Sequence, residues 1–578
     1  MPNRHARYES IMEKKRNIGY VLLPLVLSIG LVGGIIIGQY CEHRTISPEV
    51  EKLQTILGII RDQYVDEINI DSLIEQSIPE LLASLDPHSA YIPASELTQT
   101  NDDLEGSFSG VGVSFQMLND TVQVIEVVPG GPAEKVGLLP GDRIIEADGR
   151  KLTGDTITSD NVFKTLRGKE GSKVALKIKR NGSKKILNYD IIRGIIPSNS
   201  VDAKYMMADG IGYIKVSKFA RTTYEEFFNA LVVLQKKGAK KFMIDLRNNS
   251  GGFMDQAIYM ANEFLPEGRL IVYTKGRTPE NETIAISDGN GNFKDTELIV
   301  LTNEFSASAS EIFAGAIQDN DRGIVIGRRS FGKGLVQNQT ELPDSSAVRL
   351  TVARYYTPSG RSIQKEYKRG RDGKYDLDIV DRFTHGEFYS QDSIKLDKTK
   401  SFTTHNGRTV YGGGGIMPDI FVPEDTTGYT SYYVEAANQG LIQKFAADMA
   451  STYRPLMKEK TLEAMMRILP RDNMLLNSFV TYASKKGLPA RWYYINQSRS
   501  LLLNQLKAVL ARDLVGYEGF IEILNGQDST IERARQVLQN GGSPVDIKKS
   551  KATSWLMFVP SLGITSDHDY MKYGKMNV

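Results

Sequence analysis

Leu298-Ile-Val-Leu301, running directly into Thr302-Asn-Glu-Phe-Ser306-Ala-Ser308-Ala-Ser310-Glu311-Ile-Phe-Ala-Gly-Ala-Ile317, is an apolar strand that enters a helix through a turn of very small residues. Two more short apolar runs flank it, Phe242 to Leu246 and Ile324 to Ile326, together with a strand from Gly212 to Val216. Between them a helical stretch starts at Thr223, with Glu226 closing a capping box, and stops at Gly238. Strands alternating with helices imply parallel pairing in an α/β layer. Downstream, Val348, Leu350 and Val352 alternate with Arg349 and Thr351 as a half-buried strand, and the glycine run Gly412 to Gly415 closes the region.

Upstream of this layer the texture differs. Residues 47–105 read as short helices, with Leu53, Ile56, Leu57 and Ile60 on one face, before Asp86-Pro-His-Ser-Ala-Tyr91 breaks the pattern. From 106 to 195 the period falls to two around Val111, Val113 and Phe115 and again from Thr121 to Val128, with turns at Pro129-Gly-Gly131 and Pro140-Gly-Asp142. That is a small β-rich module. The layer described above occupies 196–424, and 425–578 is a helical, tyrosine-rich extension with a second capping box at Ser529/Glu532.

Residues 17–41 carry no charge and are mostly apolar, a length that crosses a bilayer at about 1.5 Å per residue. Gln39, Tyr40 and Cys41 at its exit are not the small residues that signal cleavage requires. Arg4, Arg7, Lys14, Lys15 and Arg16 precede it, so residues 1–16 are expected in the cytoplasm and everything after Cys41 across the membrane. The expectation is a single-pass protein of a bacterial inner membrane with periplasmic working domains.

The 578 residues carry 71 basic and 69 acidic side chains, a near balance that argues against nucleic-acid binding and points to protein partners. One cysteine, Cys41, and six scattered histidines leave no disulfide framework, thiolate cluster or zinc-ligand spacing, so neither a metal nor another cofactor is expected.

Ser308 stands where the first N–H groups of a helix lack partners, a place suited to an oxyanion. Ser308 to Glu311 is also a capping box, and this segment alone supports either reading. In Ile324 to Gln337, Lys333 lies between Gly332 and Gly334 just after a buried strand, where desolvation lowers an amine's pKa and fits it to act as a general base. If the next segment is a strand, Lys333 and Gln337 share a face. Gly327-x4-Gly332-Lys333 also fits a phosphate loop except at its last residue, where Gly334 replaces the Ser or Thr that holds Mg²⁺. In Phe242 to Gly252, Gly251 or Gly252 offers an unobstructed N–H to pair with that of Ala309 in an oxyanion hole.

Taken together, Leu85-Asp-Pro-His-Ser89, Ser109-Gly-Val-Gly-Val113, Asp245 to Asn249 with Gly251-Gly252, Ser306 to Ile312, Phe331-Gly-Lys-Gly334 and Gly412 to Pro418 closely resemble the carboxy-terminal processing (tail-specific) protease family of Ser/Lys peptidases. The resemblance implies a crotonase-like β/α protease core, Ser308 as nucleophile, Lys333 as general base, Gln337 beside it, and an acidic residue down the helix at Asp319. It also implies that 106–195 is a PDZ-like domain. Gly110, Val111, Gly112 and Val113 would hold a terminal carboxylate, a peptide would add beside Val113 to Phe115, Val162, Phe163 and Leu166 would line the pocket, and Arg167 would couple the two domains. The expected architecture is thus α/β and multidomain, with an anchor, a helical N-terminal region, a PDZ-like module, the protease core and a helical extension. The expected activity is that of a membrane-anchored serine endopeptidase cutting unstructured, apolar C-terminal tails, alone, as a homo-oligomer or with an adaptor. A non-catalytic PDZ adaptor on a protease-like scaffold is the alternative.

Overall fold

The computed structural model describes residues 47–118, 121–154, 157–180, 183, 185–370 and 373–542. The expected anchor, 17–41, and the segment before it lie outside these; among the described residues no helix is long and apolar enough to cross a membrane. The chain divides into two units between Leu81 and Leu82. The first holds helix α1 (Pro48–Gln63) and most of α2 (Ile70–Ala83). Pro48 opens α1 where its missing N–H costs nothing. No residue of α1 is buried, and Leu53, Ile56 and Ile59 are exposed.

In the second unit the small module is a six-stranded antiparallel sheet. It includes β1 (Val113–Leu118) and β2 (Thr121–Val127), with α3 (Ser159–Leu166) packed on it. Lys173 to Lys179 alternates exposed and buried residues, and Val174, Leu176 and Ile178 join Val122, Val124, Val162 and Leu166 in one core.

The central sheet runs β3 (Val201–Met206), β4 (Ile211–Val216), β5 (Lys241–Asp245), β6 (Glu297–Thr302), β7 (Ile324–Gly327) and the short strand Ile420–Phe421, in that spatial order. Only the β3/β4 pair is antiparallel. Helices α4 (Thr223–Lys236), α5 (Met254–Asn262) and α6 (Ala309–Asp319) cover one face, where Phe227 and Phe313 pack against Ile244, Val300 and Val325. Two further strands, β8 (Leu335–Glu341) and β9 (Ala347–Tyr356), form an antiparallel hairpin in a separate sheet, with a bulge between Val336 and Gln337.

The opposite face of the central sheet is covered from the far end of the chain. Ile531, Ala534, Val537 and Leu538 of α7 (Ser529–Gln539) pack on Met243, Ile299, Leu301, Ile324 and Ile326. Each fully buried aliphatic contributes about 1.5–3 kcal/mol, so the last part of the extension completes the core on this face of the central sheet. The region from Tyr432 to Leu514 has a helical core of its own.

The capping boxes expected at Thr223/Glu226 and Ser529/Glu532 are replaced by other bonds, whereas the one at Ser308/Glu311 is present. Helix α7 is capped by Asp528, which accepts from Thr530 N and Ile531 N, while Glu532 pairs with Arg535. Glu226 accepts instead from Ser200 N, Val201 N and the Thr222 hydroxyl, because the start of β3 brings two N–H groups within its reach.

Candidate active site

Neighbouring parallel strands place their carboxyl ends side by side, and three turns meet at the ends of β5, β6 and β7. The turns after β5 and β6 are tied together: Asn248 and Asn303 exchange hydrogen bonds of 2.9 and 2.8 Å, and Asn249 O accepts from Ala307 N and the Ser310 hydroxyl. Ser306 donates to Leu246 O at 2.8 Å. Of the three serines in the run, two are thus committed to holding the turns, whereas Ser308 sits in a capping-box arrangement with Glu311 and does not tie one turn to the other. Ser308 is half-buried with φ +54°, an uncommon backbone state for a residue with a Cβ.

Gly251 shows why the facing turn needs glycine. A Cβ there would lie 2.8 Å from Ser308 Cβ and 3.0 Å from Ala309 N, and φ is +104°. Its own N–H is donated to Asn249 Oδ1 at 2.9 Å. Gly252 follows with φ +143°, pressed against the Phe219 main chain. Among the described residues the N–H groups of Ala309 and Gly252 have no acceptor.

The turn after β7 is drawn to Ser308 by two buried groups. Glu311 Oε2 accepts from Ser308 N at 2.9 Å and Lys333 N at 2.8 Å, and Oε1 accepts from Gly332 N at 2.7 Å and the Ser330 hydroxyl at 2.5 Å. The Tyr355 hydroxyl donates to Lys333 O at 2.6 Å and lies 3.1 Å from Ser308 O. Burial holds this phenol well above its ordinary pKa, so it stays a donor. The N–H groups of Gly332 and Lys333, which a phosphate loop would turn towards phosphate, are taken by a carboxylate here.

The Lys333 side chain is half-buried and points along the hairpin. Its Nζ donates to Gln337 Oε1 at 3.1 Å, and Gln337 Nε2 donates to His88 O at 2.6 Å, which fixes the amide with its oxygen towards the lysine. Burial lowers the Lys333 pKa, and the charge of Arg349 lowers it further; Glu311 and Asp86 act in the opposite sense. His88 is itself set by Asp86, whose carboxylate accepts from His88 N, Ser89 N, the Ser89 hydroxyl and the Thr351 hydroxyl. Burial, then the nearby Lys333 charge, pushes the His88 imidazole down to about 4, so it is neutral near pH 7.

Sequence comparison bears on this geometry. A profile of peptidase family S41 matches residues 210–370, and a PDZ-domain profile matches 109–191. A "Carboxy-terminal-processing protease" of Bartonella bacilliformis is 40% identical over 321 residues, covering 55% of this chain and 73% of that protein. A "Probable CtpA-like serine protease" of Staphylococcus haemolyticus is 35% identical over 461 residues, covering 78% of this chain and 88% of that protein. The chain belongs to the carboxy-terminal-processing protease family, S41. It is a serine peptidase with a PDZ domain. Among solved structures, "Photosystem II D1 C-terminal processing protease" is 30% identical and covers 54% of this chain and 84% of its own, with a TM-score of 0.31, too low to carry an argument. Residues 432–516 match a family of unknown function.

Not every expected residue of this S41 peptidase joins the site. Asp319 sits at the far end of α6, about 16 Å along the axis from Ser308 at 1.5 Å per residue. Its carboxylate meets Arg361 Nη2 at 2.7 Å and the hydroxyls of Thr357 at 2.5 Å and Ser359 at 2.6 Å. The role expected for Asp319 beside Ser308 and Lys333 is corrected to a buried structural ion pair.

In the PDZ domain, Val162 and Leu166 are buried in the domain core, on the face of α3 that turns inward. Phe163 is exposed on the neighbouring face, its ring centroid 4.9 Å from that of Phe115 on β1. Gly110, Val111 and Gly112 lead into Val113, the first residue of β1, and Gly112 has φ +81°. Arg167 at the end of α3 lies 4.3 Å from the Phe108 ring and 3.9 Å from Asp102.

Sequence reasoning missed Tyr355 and His88. Their positions come from a strand and a turn that reach Lys333 and Ser308 only after folding; the Leu85 to Ser89 motif was a signal for His88, and nothing near Tyr355 in sequence points to it.

Proposed function

We propose that this peptidase cleaves proteins at or near their carboxyl termini through Ser308 and Lys333. Ser308 Oγ attacks the scissile carbonyl carbon while neutral Lys333 Nζ takes its proton. The tetrahedral oxyanion rests on the N–H groups of Ala309 and Gly252. Lys333 then returns the proton to the departing amine, leaving an acyl ester on Ser308. Water, deprotonated by the same amine, releases the acid and restores the serine. Gln337 holds the amine in line. Substrate tails enter through the PDZ domain, where Gly110 to Val113 meet the terminal carboxylate and the peptide adds beside β1. Residues 17–41 anchor the chain in a bacterial inner membrane with these domains on the periplasmic side.

The observation that carries the dyad is that Ser308, the serine of the run that does not hold the turns, and the desolvated Lys333 are tied through their main-chain N–H groups to the same buried carboxylate. The test uses an unstructured protein with an apolar tail. Ser308→Ala is expected to stop cleavage while retaining the tail, so that trapped substrates can be recovered and their termini sequenced; undiminished cleavage sinks the dyad. Equal cleavage of free and amidated tails would count against carboxylate capture by the PDZ domain.

A further inference from the structure

Glu311 has more bonds than a helix cap needs. It lies fully buried in the first turn of α6, and its carboxylate accepts from four neutral donors drawn from two different turns. One donor, Ser308 N, belongs to the turn after β6; three, the Ser330 hydroxyl, Gly332 N and Lys333 N, belong to the turn after β7. Those strands are adjacent in the sheet, with Thr302 opposite Gly327; past their ends Arg328 N donates to Thr302 O and Phe331 N to Ser306 O, but neither bond reaches Ser308 or Lys333. The carboxylate bridges the gap.

We propose that Glu311, acting as a carboxylate, is the positioning residue that holds the Ser308 turn and the Lys333 turn together as one assembled site. This rests on the reading of Ser308 and Lys333 as nucleophile and base, and deepens it. The chemistry of the donor set requires the charged form. An ionised carboxylate offers acceptor sites only, and four donors face its two oxygens. The Ser330 hydroxyl accepts from Ile416 N at 2.6 Å, which directs its own proton at Glu311. An amide at this position would turn an N–H group towards main-chain N–H groups and push the two turns apart. Burial pushes the Glu311 carboxyl up to about 7, against the pull of all four donors, so the site comes loose as the pH falls below neutrality.

A second consequence follows from charge. The Glu311 charge raises the Lys333 pKa, which burial and Arg349 lower. Removing it makes the lysine easier to deprotonate even as the geometry fails.

The experiment compares the full chain with its Glu311→Gln, Glu311→Asp and Ser308→Ala variants on an unstructured protein bearing an apolar tail. Glu311→Gln is expected to lower kcat by about 100-fold, the usual effect of displacing reacting groups by an ångström, with KM and tail-peptide affinity little changed. The lysine limb of kcat/KM against pH is expected to move to lower pH. Glu311→Asp keeps the charge but shortens the reach, so kcat falls while the lysine limb stays near its original pH; it serves as the readout if Glu311→Gln does not fold. Unchanged kcat in both variants overturns the proposal. So does a loss in which melting temperature, tail affinity and kcat fall together with the lysine limb unmoved, because that marks a merely structural residue. If Ser308→Ala retains cleavage, it is the dyad reading that fails; if Ser308→Ala is inactive and Glu311→Gln is not impaired, only the role of Glu311 fails.

Discussion

The two ends of α6 each bury a carboxylate, and the fold treats them in opposite ways. At the carboxyl end Asp319 faces the buried guanidinium of Arg361, with Thr357 and Ser359 adding hydroxyls. At the amino end Glu311 faces main-chain N–H groups and a serine. A carboxylate paired with a cation fixes a core. One surrounded by N–H groups fixes the backbone that carries them, and at this end that backbone belongs to Ser308 and Lys333. The same helix therefore separates a structural end from the end that carries the proposed site.

The contrast can be broken most sharply by substituting each end in turn. Lys333→Ala is expected to lower kcat/KM by about 10⁴-fold or more with the fold intact, which steady-state kinetics alongside a melting curve would show. Asp319→Asn is expected to do the reverse. It leaves Arg361 buried without its charge partner, at a cost of about 3–5 kcal/mol in stability measured by urea unfolding, while kcat of the folded fraction stays near wild type. A catalytic loss without a stability loss in Asp319→Asn would erase the distinction between the two ends.

The remaining expectation is smaller and concerns pH. The folded-state pKa of Lys333 lies below its ordinary 10.5, so between the two values the folded chain binds fewer protons than the unfolded chain and stability rises with pH. The penalty for burying the charge is fully present below the folded pKa. Lys333→Met is therefore expected to melt above wild type at pH 7, with the gap closing as pH approaches 10.5. A constant gap across that range would show that the lysine is solvated as an ordinary surface amine.

Much of this was legible in advance. Strands β4 to β7 follow from apolar runs bounded by small or polar turns, because a sheet covered by helices on both faces selects such runs. Ser308 and Lys333 were visible as a serine at a helix start and a lysine between glycines. Gln337 was visible through strand spacing, although the bulge after Val336 and the His88 carbonyl are what set its amide. Asp319 was carried over from a family resemblance, and spacing along a helix says nothing about which way a carboxylate is paired. Helix α7 was read as part of a separate extension, since a polar amphipathic helix near the end of the chain does not reveal the sheet that its apolar stripe covers.

By itself the sequence determined the order of elements, the family and the two residues proposed as nucleophile and base, because periodicity and short motifs are local properties of the chain. Only the tertiary structure showed which carboxylate binds the main chain of Ser308 and Lys333. Glu311 and Asp319 are eight residues apart on one buried helix, and in sequence Glu311 is the one that looks like a mere cap. Their difference lies in what packs against each end: Arg361 at one, and the main chain of Gly332 and Lys333 at the other. Those partners come from segments that meet α6 only when parallel strands align their carboxyl ends, and no local pattern encodes that meeting.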